Sequence, residues 1–278
     1  MTVTDFHHSK MKRLKRSLRQ KPDDRQAHLD LCLLHLKRGE YTASLDELHH
    51  ARIGLQGEPV ALDRMEAIIH YSRGDWEGAK RIFGALCAAG HEDAEIEQYL
   101  SRIAVNAGDL RRAVLHLEKA LELAGGDAEG KNDLGVLYFL EKRYAEAARL
   151  FQEALREDPG YALAYGNLAD LHVEMKQPRE AAQVWEAYCD RFPEDSAGFK
   201  NLGMLAYRAG DAASALSKLQ QAEYLNPRDA EIPYYMGMVY LGQQDFEMSR
   251  QALRKCLGMN PDYGPAKEAL ALCYCRLE

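Results

Sequence analysis

The chain has 278 residues, 28% of them charged and 46% hydrophobic, and a formal net charge of −7. That length suits one large domain or two ordinary ones, and no apolar run approaches the roughly 20 residues that cross a bilayer. Six cysteines without a CxxC pair fit a reduced compartment, and so a cytoplasmic location, better than a disulfide framework.

The N-terminal stretch MTVTDFHHSKMKRLKRSLRQK is basic and has no apolar h-region, so it does not read as a secretory signal. Residues 1–24 hold seven basic and three acidic side chains, which leaves a charge of −11 on the rest of the chain. An acidic body is a poor match for nucleic acid, whose binding rests on neutralising phosphates. Met11, Leu14 and Leu18 form an i, i+3, i+7 apolar stripe on a helix that is otherwise basic. Two readings stand, and they can coexist. The segment is either a membrane-surface or nucleic-acid element, or a helix that caps the helical unit starting at Arg25. Pro22 favours the cap, because it precedes Arg25 by three residues as Pro159 precedes Ala162.

From Arg25 onward the chain repeats. Pro159, Pro193, Pro227 and Pro261 lie 34 residues apart, and each ends a helical stretch, since proline cannot continue a helix from its own nitrogen. Units start at Arg25, Val60, Ala94, Ala128, Ala162, Ser196 and Ala230, with a partial unit from Gly264; only the first step differs, at 35. The eighth place is always small: Cys32, Ala67, Ser101, Gly135, Ala169, Gly203, Gly237 and Ala271. So is the twentieth, from Ser44 to Ser249, whereas the twenty-fourth (Leu48, Phe83, Leu117, Phe151, Trp185, Leu219, Leu253) is always large and apolar. Small residues let two helices approach, and large ones fill the space between pairs. Gly39, Gly74, Gly108 and Gly210 mark the turns between paired helices.

This pattern over residues 25–278 resembles the tetratricopeptide repeat. The departures are local: His91 and Gly125 stand where a terminal proline is due, and Pro178 takes an apolar place after a turn. The resemblance implies an all-α fold, a right-handed superhelical solenoid of antiparallel helix pairs whose first helices line a concave groove. The expected organisation is a basic N-terminal helix over 1–24 as a half-repeat cap, seven repeats over 25–263, and a partial, capping repeat over 264–278.

No catalytic set is visible: there is no Walker loop, GxSxG, HExxH or GxGxxG, and the chain reads as non-enzymatic and free of cofactors. His28, Cys32 and His35 share one helix face, but they occupy packing places, so no metal is expected there. By the resemblance, the ninth and twelfth places face the groove. The ninth reads Leu33, Ile68, Arg102, Val136, Asp170, Met204 and Met238; the twelfth reads Leu36, Tyr71, Val105, Phe139, Val173, Tyr207 and Leu241. This stripe is either a binding surface for an apolar or amphipathic segment or partly core between neighbouring first helices. Arg102 and Asp170 would set register by charge. Asp133, Asn167 and Asn201, at the sixth place of three successive units, form a polar ladder that either contacts a peptide backbone or satisfies neighbouring helices. The carboxylate clamp of chaperone-tail-binding relatives is absent, because Lys200 is followed by Met204 where the clamp needs asparagine.

Function then reads as a scaffold or adaptor that binds a protein or peptide in its groove. The alternatives are a self-assembling structural protein, suggested by the apolar tail LALCYCRLE, and a regulator anchored to lipid or nucleic acid through residues 10–21.

Overall fold

Two local signals, repeated along the chain, cut it into paired helices. The first is an aspartate N-cap. Asp24, Asp93, Asp127 and Asp195 precede first helices of pairs, and Asp75, Asp109, Asp211 and Asp245 precede second helices. Each accepts a hydrogen bond from a first-turn N–H, which satisfies a donor the helix leaves open. The second is a left-handed residue between the two helices of every pair. Gly39, Gly74, Gly108 and Gly210 take φ of 72–83°, and Lys142, Lys176 and Gln244 take 62°, 59° and 62° at the equivalent place. The next N–H then reaches back five residues, as in Glu40 to the His35 carbonyl at 2.9 Å and Gln177 to the His172 carbonyl at 2.8 Å.

The computed structural model describes residues 3–53 and 60–277, with side chains over 8–53 and 60–276. Residues 1–2, residues 54–59, where the period lengthens, and residue 278 lie outside the described residues. Among the described residues there are sixteen helices and no strand. None is long and apolar enough to cross a membrane.

Residues 1–126 and 127–278 form two units. The first holds α1 (Val3–Gln20), α2 (Arg25–Lys37), α3 (Tyr41–Arg52), α4 (Val60–Ser72), α5 (Trp76–Ala88), α6 (Ala94–Asn106) and α7 (Leu110–Ala124), each packed on the next. The second holds α8 (Ala128–Leu140), α9 (Tyr144–Glu157), α10 (Ala162–Glu174), α11 (Pro178–Arg191), α12 (Ser196–Arg208), α13 (Ala212–Leu225), α14 (Glu231–Gly242), α15 (Phe246–Met259) and α16 (Gly264–Leu277). There, too, successive helices pack, and the first helices also meet one another, α8 with α10 and α12 with α14.

The small places have a steric cause. A β-carbon added at Gly135 would lie 2.6 Å from the Phe151 ring, and one at Gly203 2.7 Å from Leu219. The eighth residue therefore makes room for the twenty-fourth within its own pair. Serines at these places add a polar tie across the crossing: Ser44, Ser101 and Ser249 donate at 2.8 Å to the carbonyls of Cys32, Ala113 and Gly237. The twentieth place is fully buried in every pair, from Ser44 and Ala79 to Ala215 and Ser249. Burying each Leu or Phe at the twenty-fourth place contributes about 1.5–3 kcal/mol relative to leaving it exposed. Ala271, at the eighth place of the partial unit, is exposed.

In the first unit, α1 lays Met11, Leu14 and Leu18 on Leu31 and Leu34 of α2, and Lys10 pairs with Asp30 at 3.3 Å. Leu29 lies elsewhere. It packs with Cys32, Leu48, Leu62 and Ile69 between α2, α3 and α4.

Candidate functional site

The ninth and twelfth places are three residues apart, so they share a helix face. In the first unit that face is mixed. Leu33 and Val105 are 42% and 39% exposed, and Arg102 is exposed. Leu36 packs against the Cys32–Leu48 cluster, while Ile68 and Tyr71 pack against the cluster built on Phe83. Tyr71 also meets Tyr99 edge to face, 5.0 Å between centroids.

In the second unit, Val136, Phe139, Val173, Met204, Tyr207, Met238 and Leu241 are all half-buried, and Asp170 is exposed. Tyr207 packs on the core around Leu219 and Ile232, and Met238 and Leu241 on that around Leu253 and Cys273. The stripe is thus shared. Each of these three side chains has one edge in the core between helices and leaves part of its surface to solvent. Adjacent to it, partial desolvation pushes the Asp170 carboxyl up, against the opposing charge of Arg208.

The polar ladder divides. Asn167 donates to Asn132 Oδ1 at 2.7 Å, and Asn132 in turn lies 3.5 Å from Asp133 Oδ1. Asn201 instead donates to the Ala197 carbonyl of its own helix at 2.9 Å. Asn132, only 3% exposed, is the member that sequence reasoning missed. Its place has no period to reveal it, reading Arg64, Gln98, Asn132, Gly166 and Lys200 in successive units. Each carboxamide has two donors and two acceptor lone pairs, so the bonded pair keeps capacity for a further partner.

Lys200 is committed within the fold. Its ammonium lies 2.9 Å from Asp229 and 2.6 Å from Glu231. Burial alone would lower its pKa, but the bonds to these two carboxylates outweigh it and the pKa is raised. Two of its three N–H donors are thus taken by carboxylates of the fold itself.

His28, Cys32 and His35 do not converge on one point. His28 turns to Glu47 and to the Pro22 carbonyl, Cys32 Sγ lies 3.3 Å from Ser44 Oγ, and His35 meets Glu40 at 2.5 Å. A buried acid, Glu97 on α6, had no signal in the sequence. At 2% exposure it is held by His116 at 2.6 Å and Lys119 at 3.2 Å. Lys119 also bridges to Glu92, and the bonds to Glu92 and Glu97 raise its pKa.

Paired helices of 12–15 residues, each crossing at small residues, define an α-helical repeat protein whose first helices present a shared face. Residues 100–162, 138–202 and 234–263 match three family models, all described as tetratricopeptide repeat, and the chain belongs to that family. Among curated proteins it is 28% identical over 258 residues to the BBSome complex member BBS4 of Bos taurus, covering 89% of this chain and 49% of that protein. It is also 27% identical over 146 residues to the type IV pilus assembly protein PilF of Pseudomonas aeruginosa, covering 52% of this chain and 58% of that protein. The chain therefore spans about half the length of each of these relatives. Among solved structures, the C-terminal part of a TPR repeat-containing protein from Cytophaga hutchinsonii superposes with a TM-score of 0.71 at 13% identity, covering 86% of this chain and 98% of that one. YrrB, described as a TPR protein with an unusual peptide-binding site, gives 0.51 at 24% identity, over 67% of this chain and 96% of that one.

Proposed function

We propose that the protein is a non-catalytic interaction scaffold that holds a peptide or amphipathic segment of a protein partner on its first-helix face. The observation that carries this is the face of the second unit. There, four successive first helices leave apolar edges half-exposed, beside the Asn132–Asn167 carboxamide pair. Apolar edges suit an apolar or amphipathic ligand, and a carboxamide can bond an extended backbone. Methionines at positions 204 and 238 make the wall adaptable. With Lys200 paired, the face has little to offer a terminal carboxylate. The relatives' names support the reading, since one is a complex member and another an assembly protein. Six free cysteines fit a reducing compartment such as the cytoplasm.

A second reading rests on α1. With Met11, Leu14 and Leu18 turned into the core, Lys12, Arg13, Lys15, Arg16, Arg19 and Lys21 are all exposed. That surface suits an anionic lipid or nucleic acid. Deleting residues 1–21 and measuring binding to anionic vesicles and to DNA separates it from the first. The main test is the double variant Phe139→Glu with Tyr207→Glu, shown to be folded by circular dichroism and used in a pull-down from native lysate. Loss of the partner, or of self-association, is the expected result. Retention at full strength means that the face is not the binding site.

A further inference from the structure

We infer that His28, Glu47 and His50 form a divalent transition-metal site, of the kind that takes Zn2+, where α2 crosses α3. Glu47 and His50 are three residues apart on α3 and share the face turned to α2, while His28 comes from the first turn of α2. One ligand atom from each lies within 4.8 Å of the others. None of this spacing is visible along the chain, because the three come from two helices.

The hydrogen bonds of His28 are the strongest pointer. Its Nε2 is 2.9 Å from the Pro22 carbonyl, which can only accept, so Nε2 carries a proton. Its Nδ1 then faces the Glu47 carboxylate at 2.6 Å. At this distance a proton joins the nitrogen to the carboxylate; a metal in the proton's place would hold the same two atoms about 3 Å apart, so the Glu47 side chain draws back slightly on binding. An imidazole whose second nitrogen donates to a backbone carbonyl is also the arrangement that orients metal-bound histidines. Two imidazoles and one carboxylate are a common zinc donor set, and three protein ligands leave one position open.

The surroundings favour a cation. Asp24 adds a second negative charge that acts on His28, and His50 lies in the last turn of α3, where unpaired carbonyls point. His28 is 7% exposed and fixed by its two partners. The His50 ring lies over it, 5.2 Å between centroids and 18° from parallel. Stacked rings cannot both aim lone pairs at one ion. His50 must therefore turn about its side-chain torsions, and its exposed position leaves it free to do so. The grouping of Cys87, Glu92 and Glu97 in the same unit differs, because the Lys119 ammonium already lies between its two carboxylates. A metal on His28, Glu47 and His50 would pin α2 to α3 and, through Pro22, the connection from α1.

The test is titration of the full chain, without an affinity tag, with zinc chloride by calorimetry, followed by Co2+ to read coordination from the visible spectrum. One Zn2+ per chain is expected, with a raised melting temperature and a Co2+ spectrum of low coordination number. His50→Ala, at an exposed position, should weaken binding about 10-fold or more and abolish the thermal shift. Glu47→Gln should act in the same direction, while two exposed histidines outside the set, tested as His49→Ala and His8→Ala, should leave binding as in the parent. Absence of zinc binding by the parent would show that only a proton joins His28 to Glu47. Binding that survives His50→Ala, or that falls equally in His49→Ala, would place the ion on surface histidines. Any of these results overturns the assignment.

Discussion

Lys142, Lys176 and Gln244 hold the left-handed conformation that glycine holds in the other turns, and replacing them with glycine should stabilise the protein. At φ of 59–62° a β-carbon crowds the following carbonyl, at a cost of about 1–2 kcal/mol per residue. Glycine removes that cost but brings greater freedom to the unfolded chain, worth about 0.4–1 kcal/mol. The net gain is about 0.5–1 kcal/mol per site. The three sites lie a repeat or more apart, so the gains should add to about 1.5–3 kcal/mol. For a unit of this size that is a rise of about 3–10 °C in melting temperature. Thermal and urea melts followed by circular dichroism would measure it, with an unchanged urea m-value showing that the unfolded state is the same. Lys176→Ala keeps a β-carbon and should show no gain, which separates backbone strain from loss of the lysine side chain. A triple glycine variant that melts at or below the parent temperature would refute the reasoning.

Other outcomes rest on the same packing. Gly203→Ala should destabilise by about 1–3 kcal/mol through the 2.7 Å clash with Leu219, whereas Gly84→Ala, with nothing within 4 Å, should gain up to about 1 kcal/mol in helix propensity; chemical denaturation compares the two. Removing residues 1–21 uncovers Leu31 and Leu34 and should lower the melting temperature, and an unchanged value would make the segment a free arm rather than a cap. The Asp75 carboxyl is held well below the usual carboxylate range by Arg73, His70 and the Gly78 N–H. Its folded pKa lies below its unfolded one, so its contribution is complete above pH of about 4 and fades as pH falls through the lower folded value. Asp75→Asn should therefore lower the melting temperature at neutral pH and differ less from the parent in acid. A difference that stays constant from neutral to acidic pH would exclude the charge as its cause.

The helix pairs were legible because their signals are local or strictly periodic. Prolines two residues beyond Glu157, Arg191, Leu225 and Met259 end α9, α11, α13 and α15, and the small eighth places state in sequence what Phe151 and Leu219 enforce in space. Features that depend on which way a helix turns were not legible. α2 is apolar on more than one side, so its sequence does not say that Leu31 and Leu34, rather than Leu29, meet α1. The left-handed lysines were hidden because the turn is imposed by the repeat and not by the residue that occupies it. Gly125 stood out only as a missing proline, yet the chain divides into its two units just after it, at Gly126. At the candidate site, the ninth and twelfth places could be read by register. The Asn167–Asn132 bond could not, because it joins residues 35 apart and the place of Asn132 is not repeated in kind.

The central claim is that the first-helix face of the second unit carries the partner. It is tested most directly by placing a photo-crosslinking side chain at Val173, on that face, and separately at Gln183, exposed on the second helix of the same pair. Irradiation of the protein with its captured partner should give an adduct from position 173 and little from 183. Equal yields from the two, or an adduct from 183 alone, would contradict it.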